Sequence, residues 1–360
     1  MAGPNYGTLS TLDTLASTFQ TIAEFGEDRA FDQIQALLTA HNKIVTNLFD
    51  DLCDKTTDRQ RRYGTTDNML AIKTDEFGRS DPQKVSPGAV AGFPLDKYTV
   101  GVQYTRDYFD IASVAEVVGQ STAAMDGDVQ RIISEIKRAI YSPTNYTFND
   151  YLVNRLQAIP LQVRALLNAD GLGIPAGPNG ETFNGSTHTH YLGVATPGTP
   201  LASEIVAALE TVEEHYSDGN MIIAINRAQE PQIRAMTGNF VAMQPQMVVG
   251  PTTAAQIPGQ MTPTVPIYNR MIGLFNGAEV WVKPWCIAGY VVPYITDQPK
   301  PLVMRTNEKG PQGFVIVAED EKYPLRAKLF QRKFGIGVWN RTAMSVLDTL
   351  HTTYNAPVII

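Results

Sequence analysis

Apolar positions recur at helical spacing along Asp110–Tyr141, where Val114, Val118, Met125, Val129, Ile132, Ile133, Ile136 and Ile140 share one stripe. The spacing predicts one long helix, with Asp110 as its N-cap and Ser142–Pro143 as its stop. Gly119 and Gly127 are weak points inside it, each costing about 1 kcal/mol relative to Ala. Roughly 32 residues at about 1.5 Å each reach about 48 Å, so such a helix needs a long surface to lie on. Two shorter amphipathic patterns precede it. One carries Leu9, Leu12, Leu15, Phe19 and Ile22, and the other runs from about Asp28 to Leu52. Both predict packing helices, or an arm that docks on a neighbouring subunit, with residues 1–8 as a loose end.

Between these patterns, residues 54–97 are polar and turn-rich. Met69–Lys73 and the alternating Tyr98–Tyr104 bracket that polar stretch as the two strands of a long exposed hairpin. After the long helix, about Asn149–Leu167 is predicted as a short helix, followed by a loop whose Pro-Asn-Gly at 178–180 signals a tight turn. Ser203–Tyr216 is predicted as a helix capped by Ser203, Met221–Ile225 as a buried strand, and Glu230–Met236 as a short helix. Residues 237–265 read as an excursion with little structure of its own. Strands follow at Ile267–Phe275, Ala278–Val282 and Ala288–Tyr294, the first two joined by Asn276–Gly277, a strong hairpin signal. Phe314–Val317, Leu325–Phe334 and Ile336–Met344 are predicted as antiparallel strands, and about His351–Ile360 as a tail.

Composition narrows the function classes. The charged fraction is 18%, below the typical ~25%, while 28 Gly and 23 Pro imply many turns. A weakly charged chain of 360 residues with extended excursions suits burial against copies of itself. A net charge of −7 argues against a dedicated nucleic-acid reader, which would be basic. Two distant cysteines, Cys53 and Cys286, form no disulfide framework and no cysteine zinc site, and Cys286 reads as core. The N-terminus lacks the basic and apolar regions of a signal peptide, and no run of 18 apolar residues occurs. The expectation is a soluble protein made in the cytoplasm.

Catalytic groupings are missing from the sequence. There is no phosphate loop, dinucleotide fingerprint, G-x-S-x-G elbow or H-E-x-x-H helix. The strongest local candidate is His188-Thr189-His190, whose histidines at i and i+2 face the same way on an extended segment, with Glu181 near in sequence as a third metal ligand. The other three histidines, His41, His215 and His351, offer no obvious partner, and loop packing is the reading preferred over metal. Arg59, Arg61 and Arg62 read as an ion-paired face in preference to a phosphate patch. Asp50–Asp51 and Glu213–Glu214 read as solvated helix faces, and Trp281, Trp285 and Trp339 as core or interface. The sequence therefore assigns no catalytic, cofactor-binding or metal residue.

The order of parts carries a resemblance. A helical arm, the extended loop at Gln60–Thr105, the long helix at Asp110–Tyr141, the helix and strand at Ser203–Ile225, and the closing LFQRKFGIGVWNRTAMSVLD at 329–348 follow one another. This order resembles the HK97-like major capsid protein of tailed double-stranded DNA bacteriophages. The resemblance implies an α+β fold with an N-terminal arm at 1–58, an E-loop hairpin at 59–106, a P-domain with the spine helix at 107–148, an A-domain at 203–300, P-domain strands at 301–350 and a C-terminal tail at 351–360. Residues 149–202 depart from the minimal pattern as an insertion or loop-rich region.

By the same resemblance, the chain self-assembles as pentamers and hexamers into an icosahedral head enclosing double-stranded DNA. DNA is touched non-specifically across an acidic or neutral inner surface. The partners implied are further copies of the chain, a portal protein and a separate scaffolding protein, since the arm that starts at Met1 is short. A decoration protein is allowed, and no membrane and no cofactor are implied. The location implied is the virion. The alternatives are an encapsulin-like nanocompartment shell enclosing an enzyme, and a metal-dependent enzyme using His188 and His190.

Overall fold

The computed structural model describes residues 27–63, 71–74, 76–78, 88–150, 158–243, 269–308, 310, 312–322 and 325–359. The first predicted helix, at Leu9–Ile22, lies outside them. Helix α1 (Glu27–Leu48) buries Ile34, Leu37, Leu38 and Val45 and leads into β1 (Cys53–Thr56) and β2 (Gln60–Tyr63). After β3 (Ala89–Gly92) and β4 (Asp96–Thr105) come a short helix, α2 (Arg106–Ile111), and the long α3 (Val114–Tyr141). The 28 residues of α3 reach about 42 Å. The long helix thus begins later than its apolar period suggests. Ala112 is extended, and Glu116 caps the new helix by accepting from the Ser113 backbone N–H at 2.9 Å. Asp110 belongs to the last turn of α2 and is not the cap.

Next come β5 (Tyr146–Asp150) and β6 (Ile159–Val163), an antiparallel pair where a helix over Asn149–Leu167 was expected. Pro160 cannot donate inside a helix, and Leu161 and Val163 alternate inward as a strand requires. Then follow β7 (Tyr191–Gly193), α4 (Ala202–Glu213), β8 (Asn220–Ile225), α5 (Glu230–Ala235) and β9 (Phe240–Ala242). The cap of α4 is Glu204, whose carboxylate accepts from the backbone N–H groups of Leu201 and Ala195 at 2.7 and 2.6 Å. Ser203 lies within the helix. Beyond β9, residues 244–268 of the expected excursion lie outside the described residues.

The remaining strands are β10 (Arg270–Phe275), β11 (Ala278–Val282), β12 (Tyr290–Thr296), β13 (Leu302–Thr306), β14 (Val315–Lys322), β15 (Leu325–Val338) and β16 (Val346–Asp348). Asn276 and Gly277 both take positive φ, 47° and 90°, making the turn the β10–β11 hairpin requires. The two closing strands expected on either side of Gly335 are one continuous strand of 14 residues, and the chain after Val338 leaves the sheet.

Two sheets organise the molecule. In the first, β15 pairs along one edge with β4 over ten residues and along the other with β14 and then β13, which pairs in turn with β1. So β4 does not pair with Met69–Lys73: residues 71–74 form no strand, and the polar stretch is closed by β2 against β3. Helices α3 and α1 lie on this sheet, where Ile34, Leu38, Val117, Met125, Phe314 and Phe330 share a core. The second sheet runs β7-β16-β12-β8-β11-β10-β9 and is covered by α4, with Ile205, Leu209, Ile223, Ile225, Val280 and Val291 packed between them. A third cluster joins the two through Ile132, Ile136 and Ile140 of α3 with Trp285, Tyr294, Leu302 and Phe334. Among the described residues no helix is long and apolar enough to cross a membrane.

Candidate functional site

The side-chain cluster richest in chemistry forms where the chain between β6 and β7 is fastened to the end of α4. Arg341, fully buried, fixes the start of that segment. Its Nε donates to the Ala165 carbonyl at 2.7 Å, and its Nη2 donates to Asn168 Oδ1 and Asp170 Oδ2 at 2.8 and 2.9 Å. Burial alone would raise the Asp170 carboxyl, but the Arg341 charge and the hydrogen bonds from Asn145 and Arg341 hold it below the ordinary carboxylate range. The chain then makes the Gly177–Glu181 turn, with Gly180 at φ 87°, and returns so that the His190 N–H donates to the Leu167 carbonyl at 2.8 Å.

The return leg delivers His188 and His190, and the turn after α4 delivers Glu214 and His215. The three imidazole Nε2 atoms form a triangle with edges of 3.3 Å (His188–His190), 3.2 Å (His188–His215) and 3.2 Å (His190–His215). Glu214 Oε1 lies 3.3 Å from His188 Nε2 and 3.8 Å from His215 Nε2, and all four ligand atoms fall within 4.8 Å of one another. His190 is fully buried and donates from Nδ1 to the Met344 carbonyl at 2.7 Å. The Phe183 ring sits 4.3 Å from His215 and 5.0 Å from His188, walling one side.

Burial lowers all three histidines. His190 falls well below its usual range, helped by the neighbouring His215 and His188, and His215 is pushed down to about 3. Neutral imidazoles with inward-facing nitrogens are the form a metal ion takes up. Glu214 is moved the other way, raised by partial burial and by the charges of Glu181 and Glu210.

Of the sequence candidates, His188 and His190 do converge. Glu181 does not join them: its carboxylate accepts from the backbone and side chain of Asn179, both at 3.0 Å. His215, which the sequence left without a partner, and Glu214, which it read as solvated, complete the group. The adjacent Glu-His at the end of a helix was the one available signal, but nothing local ties it to residues 25 positions earlier. Asp51 is likewise not simply solvated, since it takes Lys283 Nζ at 2.6 Å and the Tyr294 hydroxyl at 2.9 Å.

Two of the three clustered arginines, Arg59 and Arg61, are ion-paired. Arg61 donates to Asp58 at 2.8 Å and lies over Trp339 at 5.1 Å, and Arg59 meets Asp150 at 3.4 Å. Trp285 is core and Trp339 joins this contact. Cys286 is core, with its thiol pushed up to about 12 by burial.

Outside this cluster, large apolar side chains remain exposed at Phe77, Ile111, Leu201, Val241 and Met243.

No family model matches the chain, and no curated protein does. Solved structures do. A chain described as Mycobacterium phage Patience is 19% identical, with 94% of this chain and 93% of that chain covered at a TM-score of 0.65. A chain from the capsid of a native GTA particle is 11% identical over 85% of this chain and 91% of its own, with a TM-score of 0.49. A chain of the holo-SrpI encapsulin complex from Synechococcus elongatus PCC 7942 is 11% identical over 86% and 90%, with a TM-score of 0.44. The fold of this chain is the HK97-like fold, α+β with a long helix lying on a central sheet.

Proposed function

We propose that the chain is the major subunit of a phage head, assembling as pentamers and hexamers into an icosahedral shell around double-stranded DNA. The observation that carries this reading is the match of fold over nearly the whole of both chains, 94% and 93%. The exposed apolar side chains Phe77, Ile111, Leu201, Val241 and Met243 support it, because obligate interfaces bury roughly 2,000 Å² or more and leave such groups bare in a single subunit. The reading assigns the chain no enzymatic activity.

In this reading residues 1–58 are the arm, 59–106 the E-loop, 107–148 and 301–350 the P-domain, 149–202 an insertion or loop-rich region, 203–300 the A-domain and 351–360 the tail. The arm ahead of α1 and the E-loop beyond its β4 root lap over neighbouring subunits, because α1 and β4 already pack within their own subunit. A portal protein, a separate scaffolding protein and the packaged DNA are the partners, a decoration protein fits the same scheme, and the virion is the location. With a net charge of −7, packaged DNA would slide along the wall and not be gripped.

The test is size-exclusion chromatography with light scattering, followed by negative-stain imaging of the largest species. Closed shells tens of nanometres across, or capsomer rings, are expected, with nuclease-protected DNA inside particles recovered from infected cells. A species of 39.5 kDa that stays monomeric at high concentration, with crowding agent and with co-expressed scaffold, would overturn the reading. Shells that hold an enzyme and no DNA would move it to a nanocompartment.

A further inference from the structure

The triangle of imidazole nitrogens poses a proton-counting problem. A contact of 3.2–3.3 Å between two Nε2 atoms is a hydrogen bond only when one nitrogen carries the proton and the other offers its lone pair. Three nitrogens in mutual contact cannot all meet that condition. However the protons are placed, at least one contact joins two lone pairs or two N–H groups. His190 tightens the constraint, because its Nδ1 proton is committed to the Met344 carbonyl and its Nε2 in the neutral ring is an acceptor. A cation at the centre removes the conflict, since all three nitrogens then direct lone pairs inward.

The dimensions agree. Ligands at about 2.0–2.1 Å from a tetrahedral zinc ion stand about 3.3 Å apart, and the nitrogen triangle has edges of 3.3, 3.2 and 3.2 Å. Glu214 Oε1 lies 3.3 and 3.8 Å from two of its corners and within 4.8 Å of the third, within a small side-chain shift of the fourth ligand position. We propose that His188, His190, His215 and Glu214 bind one zinc ion through three imidazole nitrogens and one carboxylate oxygen.

Four protein ligands close the coordination sphere, which makes the site structural in kind and leaves no position for a substrate. Its outer contacts are of the sort that orient metal-bound histidine: the Met344 carbonyl holds the His190 ring. The Nδ1 of His215 is buried with no hydrogen-bond partner, so packing on Phe183 orients that ring instead. The half-exposed Glu214 gives the ion its route in. Once bound, the ion would staple the loop ending at His190 to the end of α4, where the Phe183 ring also packs on His215.

The experiment uses the full, untagged chain, stripped with a chelator at neutral pH and titrated with zinc against a chromophoric competitor. Metal content is measured after gel filtration. One zinc per chain should be retained, the melting temperature should rise on zinc addition, and cobalt should give the intense visible bands of a tetrahedral site. His188→Gln is the cleanest variant, because His188 is the least buried of the three histidines. It should fold, weaken zinc binding by about 100-fold or more and abolish the zinc-dependent rise in melting temperature. Glu214→Gln should weaken binding less. Wild-type protein that retains no zinc and shows no thermal shift would overturn the proposal, as would a shift of equal size in His188→Gln. The same measurement on shells and on unassembled subunits keeps this result separate from the assembly reading, which stands or falls on particle formation alone.

Discussion

Asp128 is the anchor through which α3 is fixed to the sheet beneath it, and its removal tests that role. Its carboxylate accepts from Arg332 Nε at 2.8 Å and Arg332 Nη2 at 2.7 Å, a two-pronged pair reaching across from β15. His41 Nε2 of α1 lies 2.9 Å from the same carboxylate, and Arg332 also donates to Asn42 Oδ1 at 2.8 Å. Asp128 and Arg332 are only 5% and 7% exposed, so bulk water does not solvate the pair. Asp128→Ala leaves a guanidinium buried with one side-chain acceptor in place of three, and breaking a buried pair in this way costs about 3–5 kcal/mol.

Urea unfolding of the unassembled subunit, followed by the fluorescence of buried Trp285 in the cluster that α3 shares, would measure the loss. Replacing both partners, Asp128→Leu with Arg332→Met, should recover most of it, since no charge is then stranded. A cost below about 1 kcal/mol for Asp128→Ala, or a double variant no better than the single one, would refute the claim that desolvated charge holds this junction.

Three further outcomes are expected. Because the folded Asp170 carboxyl is held below the ordinary value of about 3.9, its contribution to stability is complete above that pH and is lost as pH falls through the lower folded value. Asp170→Asn should therefore be less stable at pH 7 and lose less on acidification below about pH 4, and an unchanged acid slope would refute this. Burial raises the thiols of both Cys53 and Cys286, so a thiol reagent should label neither in the folded subunit and both after unfolding; rapid labelling of folded protein would contradict the burial. Deleting residues 1–25 should block shell closure while leaving the unfolding midpoint of the subunit unchanged, and undiminished shell yield would show that the arm does not dock.

Local chemistry determined much of this protein from its sequence. The period of Val118, Met125, Val129, Ile132, Ile136 and Ile140 gave a helix because every third or fourth side chain meets the same surface. Asn276–Gly277 gave a hairpin because these residues tolerate positive φ. Met221–Ile225 gave a buried strand from a short apolar run. Each depends on neighbours a few residues away.

Only the tertiary structure decided pairings between distant segments. The alternation of Tyr98, Val100, Val102 and Tyr104 marked a strand but not its partner, since any edge with a matching face satisfies period two. β15, more than 220 residues later, supplied that edge. Gly335 permits the crossing at its end, because a Cβ there would stand 2.1 Å from the Pro94 carbonyl oxygen. The start of α3 slipped from Asp110 to Ser113 because Glu116 captures the Ser113 N–H, a choice between two caps that periodicity does not rank. The histidine cluster has the same cause on a smaller scale. His188 and His190 were visible as a pair, but His215 and Glu214 reach them only because Arg341 pins the loop start, β7 joins β16, and α4 ends directly above. Ligand convergence is set by where elements stop in space, and sequence spacing carries no record of that.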